Sequence, residues 1–213
     1  MLRASGHAGR VRTSILMDLI ASEGGLVIRL MQDDEAEYER TARWRNEPHV
    51  REWWDPDDPP LTPDGAREHY GPSTRPGAPA TACVIEFEGR AAGCIFFYPW
   101  EGFREEAGAM GLPQVEGAWG LDIFIGEPGL LGRGIGTAAI DLLCRYLLTE
   151  RGASCVMLEA AIDNARALRA YEKAGFARYG RALDTDTKDG QRVQSWVMVR
   201  PRASPGEPAA DRD

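Results

Sequence analysis

Hydrophobic residues recur along the chain with two different spacings. Short runs in which apolar and polar residues alternate predict strands, and apolar residues three or four positions apart predict helices. The interleaving of the two predicts an α/β (α+β) domain with a central sheet of about six to seven strands flanked by helices. The predicted strands cover residues 26–31, 81–87, 91–98, 119–125, 155–160, 176–182 and 195–199, and the predicted helices cover residues 35–45, 48–54, 63–70, 138–149 and 164–174.

Capping and stop signals support several of these boundaries. Asp33 and Asp34 offer a side-chain cap to the first helix, and Thr62 followed by Pro63 caps and opens the third. Gly175 ends the last helix, because glycine readily adopts the left-handed conformation that follows a helix C-terminus. The last two strands are expected to be joined by a polar loop over residues 184–190.

The two ends of the chain lack a pattern that would bury apolar surface. Residues 1–24 mix Gly, Ser, Arg and Ala without sustained periodicity, which predicts a disordered N-terminal extension or a short stray helix. Residues 203–213 are rich in Pro, Ala and Asp and predict a disordered tail. The remaining residues, 25–202, are expected to form one domain.

Charge and cysteine content narrow the classes of partner. The chain has 25 Lys and Arg against 33 Asp and Glu, and this net charge of −8 argues against a nucleic-acid partner. It fits a cationic small substrate, and it fits solubility alone equally well. No apolar run approaches the about 20 residues of a membrane span. The four cysteines lack CxxC spacing, and the three histidines are scattered, so we expect a cytoplasmic protein with reduced thiols and no metal.

A glycine-rich turn lies between the strand 119–125 and the helix that follows it. Gly132, Gly134 and Gly136 alternate there, where positive φ is tolerated and first-turn N–H groups form an anion site. The spacing is not the Gly-x-Gly-x-x-Gly of a dinucleotide fold, and the Gly-Lys-Ser/Thr ending of a Walker loop is absent. Two interpretations of this turn remain: a different kind of phosphate-binding loop, or a turn that binds nothing.

Asp122 interrupts an otherwise apolar strand. On a two-residue repeat it shares a face with Gly120 and Phe124, while Leu121 and Ile123 face the other way. A carboxylate in such a strand is costly unless it has a partner or a function. Asp122 is therefore a candidate functional residue, and a carboxylate satisfied by backbone or arginine is the structural alternative.

The glycine turn and a second motif, over residues 164–176, together resemble the GNAT acetyltransferases. The glycine turn resembles their pyrophosphate loop, although Leu131 stands where a Gln or Arg is usual. The segment from Asn164 to Tyr171-Glu-Lys-Ala-Gly-Phe176 resembles the family's Asn … Tyr-Glu-Lys-x-Gly-Phe segment. The resemblance implies the GNAT fold, a mixed twisted sheet splayed between the fourth and fifth predicted strands, with acetyl-CoA as cosubstrate. The residues that it implies for acetyl-CoA are Ile123, Phe124, Ile125, Leu131, Gly132, Arg133, Gly134, Ile135, Gly136, Thr137, Asn164, Ala167, Tyr171 and Lys173.

Over residues 26–200 the chain resembles, more narrowly, the aminoglycoside 6'-N-acetyltransferases. The matching segments are Glu52-Trp53-Trp54, Glu68 to Ser73 and Gly120 to Asp122. This resemblance implies that Asp122 deprotonates the acceptor amine, that Tyr171 protonates the leaving thiolate, and that the enzyme is a monomer or homodimer. The residues that it implies for a polycationic aminoglycoside are Trp53, Trp54, Tyr70, Trp100, Asp122, Glu159 and Asp189.

The substrate side of this resemblance leaves alternatives open. Aromatic residues beside the acidic stretch 55–58 favour a cationic, ring-shaped ligand, although each aromatic singly fits ordinary core packing. Phe96 stands where the best-known 6'-acetyltransferases carry a glutamine. A lysine-type amine of a siderophore precursor or a protein N-terminus is the alternative acceptor, and a non-catalytic acyl-CoA-binding module is a third possibility.

Overall fold

Eight strands form one open sheet in the computed structural model, which describes residues 18–103, 108, 113 and 115–202. Their order across the sheet is β1-β2-β3-β4-β5-β6-β8-β7. Neighbouring strands are antiparallel except β5 and β6, which are parallel. The strands are β1 Leu19–Glu23, β2 Leu26–Leu30, β3 Thr81–Phe87, β4 Arg90–Pro99, β5 Trp119–Ile125, β6 Cys155–Ala161, β7 Ala177–Lys188 and β8 Gln191–Pro201.

Helices cover both faces of the sheet. On one face α1 to α3 pack over β3, β4 and β5, and on the other face α4 and α5 pack over the middle of the sheet. Among the described residues, no helix is both long enough and apolar enough to cross a bilayer. The helices are α1 Glu35–Arg45, α2 Pro48–Arg51, α3 Pro63–Tyr70, α4 Ile135–Thr149 and α5 Ala165–Lys173.

The parallel pair β5 and β6 is joined only where it begins. Trp119 pairs with Val156 and Gly120 with Met157, and no further ladder pair joins these two fully described strands. The strands therefore diverge after residue 120, and a gap opens in the middle of the sheet. This is the splay predicted between the fourth and fifth strands, which become the fifth and sixth because β1 precedes them.

The first strand corrects the prediction that residues 1–24 are a disordered extension. Leu19–Glu23 forms β1, which pairs antiparallel with β2. Gly24 and Gly25 have φ of 55° and 83° and make the two-residue turn of this hairpin. This Gly-Gly turn is the local signal for a hairpin that the lack of sustained periodicity in residues 1–24 obscures. Residues 1–17 and 203–213 lie outside the described residues.

The last two strands are longer than predicted. They run to Lys188 and from Gln191, so that only Asp189 and Gly190 form the turn, with φ of 55° and 72°. The polar residues before the turn belong to a strand, and the expected loop over residues 184–190 is wrong. Polar side chains are compatible with a strand near the edge of the sheet, which explains why hydrophobicity alone missed it.

The predicted caps are confirmed. The Asp34 carboxylate accepts a hydrogen bond from the Glu37 N–H, and the Thr62 hydroxyl accepts one from the Gly65 N–H. At the end of α5, Phe176 N–H donates to the Tyr171 carbonyl, and Gly175 N–H donates to the Glu172 carbonyl. These two bonds form a Schellman motif, which sets the path from α5 into β7.

Candidate active site

A single cavity of about 1360 Å³ is lined by residues from both sides of the gap between β5 and β6. The turn before α4 and one side of α5 form one end of its lining. The loop after α2, the end of α3 and the β7–β8 hairpin form the other. Two separate reactants could therefore meet in this space, one from each end.

The glycine turn presents backbone N–H groups at the beginning of α4. Gly134 is the N-cap with φ of 78°, and Gly132 has φ of 72°. No side chain caps this helix, so its first-turn N–H groups lack the acceptor that Asp34 provides for α1. A Cβ on Gly132 or Gly134 would meet nothing within 4 Å, so that the backbone is openly accessible here. Such a helix start favours a phosphate or another anion.

Helix α5 lines the same end of the cavity. The Asn164 side chain accepts a hydrogen bond of 3.0 Å from the Ala167 N–H and so caps the helix. Asn164, Ala167 and Tyr171 all contribute to the cavity wall, as their spacing on one helical face predicts. Arg166, Arg169 and Lys173 add positive charge along the same helix.

Asp122 also lines the cavity. It is directly opposite Phe96 in the β4–β5 ladder, on the face covered by α1 to α3, as the two-residue repeat predicts. Next to it, the Tyr98 ring crosses over Gly120, where a Cβ would come within 2.2 Å of the ring. Glycine is therefore required at position 120 for Tyr98 to lie beside Asp122.

Tyr171 reaches the same region from the opposite face of the sheet. Burial, with a further contribution from the negative charge of Asp122, raises the pKa of the Tyr171 hydroxyl above its ordinary value. The hydroxyl thus keeps its proton at neutral pH. The gap between β5 and β6 is what allows an α5 side chain to interact with a carboxylate from the other face.

Four aromatic side chains form a continuous wall on the α1–α3 side. The Tyr70 ring stacks on Phe96 with centroids 5.2 Å apart, and Trp54 meets Phe124 edge-on at 5.0 Å. Trp54 also contacts Phe96 at 5.9 Å, which closes the set. All four residues line the cavity, so the wall is a core cluster that also faces the site.

A buried arginine supports this wall from behind. Arg45 of α1 lies over the Trp54 ring at 5.1 Å and donates hydrogen bonds to the Tyr70 hydroxyl and the Asp55 carboxylate. Asp55 has φ of 46°, an uncommon conformation for a non-glycine residue, and its ion pair with Arg45 helps to hold it. Burial and the charge of Arg45 lower the pKa of His69, which keeps that imidazole neutral at pH 7.

The acidic stretch 55–58, which was expected to favour a cationic ligand, makes contacts within the protein instead. Asp55 is paired with Arg45, and the Asp57 carboxylate accepts hydrogen bonds from the backbone N–H groups of Asp189 and Gly190. Both interactions are within the protein, so this stretch acts mainly to position structure. The sequence shows its charge and not its partners, because those partners lie up to 133 residues away.

Most residues that the sequence resemblance implied are brought together around the cavity. Arg133 is the exception, because its guanidinium lies over the Phe87 ring at 5.3 Å and Arg133 does not line the cavity. Trp100 is buried, with its Nε1–H donating to the Pro113 carbonyl, and its ring still contributes to the wall. The implied residues that do line the cavity are Trp53, Trp54, Tyr70, Trp100, Asp122, Ile123, Phe124, Ile125, Leu131, Gly132, Gly134, Ile135, Gly136, Thr137, Glu159, Asn164, Ala167, Tyr171, Lys173 and Asp189.

Several residues at the cavity were not predicted. His49 donates from its Nε2 to the Ile125 carbonyl at 2.9 Å and so fixes the end of β5. Lys188 lies over the Trp53 ring at 4.4 Å. Neither contact follows from a local sequence pattern. The one sequence feature that could have indicated His49 is its position one helical turn before Trp53. Within the described residues, no cluster of His, Cys, Asp and Glu has the arrangement of a metal site.

Comparison with known proteins identifies the family. The profile of the acetyltransferase (GNAT) domain matches residues 33–183, which is well over half of the chain. The protein therefore belongs to the GNAT acetyltransferase family, and its eight-stranded mixed sheet is a form of that fold. The predicted family and fold are confirmed.

Among characterised proteins, the chain is similar to aminoglycoside N(6')-acetyltransferase type 1. It is 28% identical over 185 residues to the proteins of that name from Klebsiella pneumoniae and Serratia marcescens, covering 85% of this chain and 85% of each relative. A kanamycin resistance protein from Rhizobium radiobacter is 34% identical over 86 residues, which cover 40% of this chain and 74% of that protein.

Solved structures give the same picture. The aminoglycoside acetyltransferase AAC(6')-Ib in complex with coenzyme A and kanamycin superimposes with a TM-score of 0.68 at 26% identity, covering 83% of this chain and 95% of the other. Its complex with paromomycin and acetyl-CoA gives 0.70 at 26% identity, covering 84% and 94%. A spermidine N-acetyltransferase from Vibrio cholerae shares the fold alone, with a TM-score of 0.64 at 17% identity, covering 84% and 97%.

Proposed function

We propose that this protein transfers an acetyl group from acetyl-CoA to the 6'-amine of aminoglycosides. The observation that carries the proposal is one continuous cavity that joins the uncapped start of α4 to the wall around Asp122. The relatives at 28% identity, which are aminoglycoside N(6')-acetyltransferases, support the choice of substrate.

The residues at one end of the cavity fit acetyl-CoA. The open backbone around Gly132 and Gly134 suits a pyrophosphate, and the basic side chains of Arg166, Arg169 and Lys173 suit further phosphate. The diverging edges of β5 and β6 leave backbone groups that an extended amide-containing arm can bind. Bound acetyl-CoA would supply an activated thioester, whose acyl carbon joins the amine nitrogen as the carbon–sulfur bond breaks.

Asp122 and Tyr171 have the properties that this transfer requires. An amine attacks only when it is neutral, so Asp122 removes the proton from the acceptor nitrogen, directly or through water. Tyr171 keeps its own proton because burial raises its pKa, and it donates that proton to the leaving sulfur. Asp122 and Tyr171 reach the gap from opposite faces of the sheet, which supports direct attack between the two bound reactants without a covalent enzyme intermediate.

The other end of the cavity fits a polycationic ring system. Asp122 and Glu159 lie on the same face of two diverging strands, and Asp189 adds a carboxylate from the β7–β8 turn. Sugar C–H faces and ammonium groups both pack well on aromatic rings, which Trp54 and Tyr70 provide. The predicted substrate residues thus offer both the charge and the apolar faces of an aminoglycoside site.

A lysine-type acceptor with its own carboxylate fits less well. Such a substrate needs an arginine that is available to bind it. Arg45 donates to Asp55 and Tyr70, and Arg192, which lines the cavity, donates to the Leu183 carbonyl at 2.6 Å. Both guanidinium groups are thus engaged within the protein on the acceptor side.

An assay of CoA release with a panel of acceptors tests the proposal. The full chain is incubated with acetyl-CoA and, separately, with kanamycin, tobramycin, lysine and a peptide with a free N-terminus. We expect kcat/KM to be highest for the two aminoglycosides, by at least about tenfold. Faster turnover with lysine or the peptide would contradict the proposed substrate class and favour the alternative acceptors.

A further inference from the structure

The tip of the β7–β8 hairpin is attached to the loop that follows α2. The Asp57 carboxylate accepts hydrogen bonds of 2.9 Å and 3.0 Å from the Asp189 and Gly190 N–H groups, one on each oxygen. Lys188, next to the turn, lies over the Trp53 ring at 4.4 Å. The Lys188 ammonium is also 4.0 Å from the Glu52 carboxylate. Four contacts thus join two segments that are more than 130 residues apart in the chain.

The backbone of the turn creates the site that Asp57 occupies. Asp189 and Gly190 both have positive φ, as in the two-residue turns that match the twist of a hairpin. Successive N–H groups in this conformation point the same way and form a concave anion site. One carboxylate can satisfy both donors, and hydrogen bonds to a charged acceptor are stronger than neutral ones.

Both attached segments belong to the acceptor end of the cavity. Glu52 to Pro56 line it on one side, and Lys188, Asp189 and Gln191 to Gln194 line it on the other. The hairpin extends beyond the neighbouring strand β6, which ends at Ala161 opposite Ser195, so β6 does not support its tip. The contact with Asp57 is therefore positioned to decide where this part of the wall lies.

We propose that Asp57 is a positioning residue that holds the β7–β8 hairpin across the acceptor end of the cavity and thereby completes the acceptor site. Asp57 itself binds the hairpin backbone. The wall that it fixes carries Asp189, which contributes charge toward the acceptor. This inference rests on the proposed function for the identity of the acceptor, and on the structure alone for the contact.

The first arm of the test measures the contact without using activity. Hydrogen exchange of the Asp189 and Gly190 amides is followed by NMR in the full chain and in the Asp57→Asn and Asp58→Asn variants. Asp58→Asn is a matched control, because it removes the same charge from the same loop, and Asp58 does not line the cavity. We expect exchange to become about tenfold faster in Asp57→Asn, as the loss of a charge-assisted hydrogen bond implies, and to stay unchanged in Asp58→Asn.

The second arm measures steady-state kinetics in the same three proteins. We expect the KM for kanamycin to rise about five- to tenfold in Asp57→Asn, because the acceptor wall is no longer fixed. The KM for acetyl-CoA should stay within about twofold of the wild-type value, since its proposed binding residues lie at the other end. A purely structural role for Asp57 would change both KM values or neither.

The two arms separate the possible failures. Equal exchange rates in the wild type and Asp57→Asn would overturn the contact. Faster exchange with no change in acceptor KM would show that the hairpin does not position the acceptor, which also overturns the proposal. If another amine of the panel is acetylated instead of kanamycin, the proposed function fails, and the same comparison with that amine still decides the role of Asp57.

Discussion

Asp122 differs in its surroundings from Asp55, which also lines the cavity, and from Asp57, which does not line it. It lies opposite Phe96 in the β4–β5 ladder, and its charge contributes to the raised pKa of Tyr171. Asp55 and Asp57, by contrast, bind an arginine and a backbone turn. These surroundings support the proposal that Asp122 takes the proton from the acceptor.

Replacing Asp122 by Asn tests this role. The change keeps the size and the hydrogen-bonding capacity of the side chain but removes its basicity. We expect kcat with kanamycin to fall by about 10²–10⁴, the usual contribution of a general base. The affinity for acetyl-CoA, measured by calorimetry, should hardly change.

Glu159→Gln is the matched control for Asp122→Asn. Glu159 lies on the corresponding face of β6, and this change also removes one negative charge from the cavity. We expect it to raise the KM for the aminoglycoside with a smaller effect on kcat. A folded Asp122→Asn protein with near wild-type kcat, or an equal loss of kcat in both variants, would contradict the assignment of the base.

Residue types and spacing predicted which side chains lie at the site better than they predicted what those side chains contact. Asn164 and Tyr171 are seven residues apart and so share a helical face, and both line the cavity. The direction of Arg133 toward Phe87 and the burial of Arg45 depend on tertiary neighbours. No local pattern contains that information.

At the scale of elements, the junction of β5 with α4 determines what the cavity can bind. The strand ends in the wall, and the helix begins at Gly134 without a side-chain cap. Both the proposed catalytic carboxylate and the proposed anion-binding amides therefore come from one continuous segment. Small displacements of this segment would affect both reactants together.

Substituting Gly134 by Val tests the assignment of the anion site. A β-branched residue is strained at φ of 78°, so the first turn must shift, although the side chain itself has free space. We expect the Kd for acetyl-CoA, measured by calorimetry, to increase about 10- to 100-fold, as the loss of one or two hydrogen bonds to phosphate implies. Circular dichroism should show that the fold is retained.

Gly129→Val is the matched control for the glycine turn. Gly129 lies in the short 3₁₀ segment Pro128–Leu130, has free space around its Cα, and does not have positive φ. Its substitution should leave the acetyl-CoA affinity within about twofold. Normal affinity in Gly134→Val would mean that the phosphates bind elsewhere.

Elements with strong local signals were predicted, whereas one strand was missed and two were predicted too short because their hydrophobic alternation is weak. The caps at Asp34 and Thr62 and the stop at Gly175 act within four residues, which is the range that a sequence pattern covers. A Gly-Gly turn joins the missed strand β1 to β2, and an Asp-Gly turn joins the unpredicted parts of β7 and β8. Hydrophobic alternation is weak in such strands, because they lie at or near the edges of the sheet.

Burial of the cysteine thiols changes their acidity in the folded molecule. All four cysteines are free and buried, as predicted. Burial raises the pKa of Cys94 and of Cys144 to about 12, and it raises the pKa of Cys83 as well. The folded protein therefore keeps these protons at alkaline pH, where the unfolded chain releases them.

This difference predicts a loss of stability at alkaline pH. Above the ordinary thiol pKa of 9.0 the unfolded state binds fewer protons than the folded state, so the free energy of unfolding falls as pH rises. Each such thiol contributes a slope of about 1.4 kcal/mol per pH unit between its unfolded and folded pKa values. Urea unfolding at a series of pH values from about 8 to 11 measures the total slope.

Cys144→Ala provides the control for this prediction. The variant should be less stable near neutral pH because of the cavity it creates, but its slope above pH 9 should be shallower by the contribution of one thiol. A slope identical to that of the wild type would contradict the role of Cys144 burial. A free energy of unfolding that does not fall with pH at all would contradict the account of all three thiols.

The gap between β5 and β6 is the feature that connects the two faces of the molecule into one site. We propose that an aminoglycoside 6'-amine and acetyl-CoA meet there, and the position of the acetyl group on the product is a direct test. The full chain is incubated with kanamycin and acetyl-CoA, and the product is analysed by two-dimensional NMR. We expect a single acetyl group on the 6'-nitrogen. Acetylation at a different nitrogen, or no acetylated kanamycin while another amine is acetylated, would contradict this proposal.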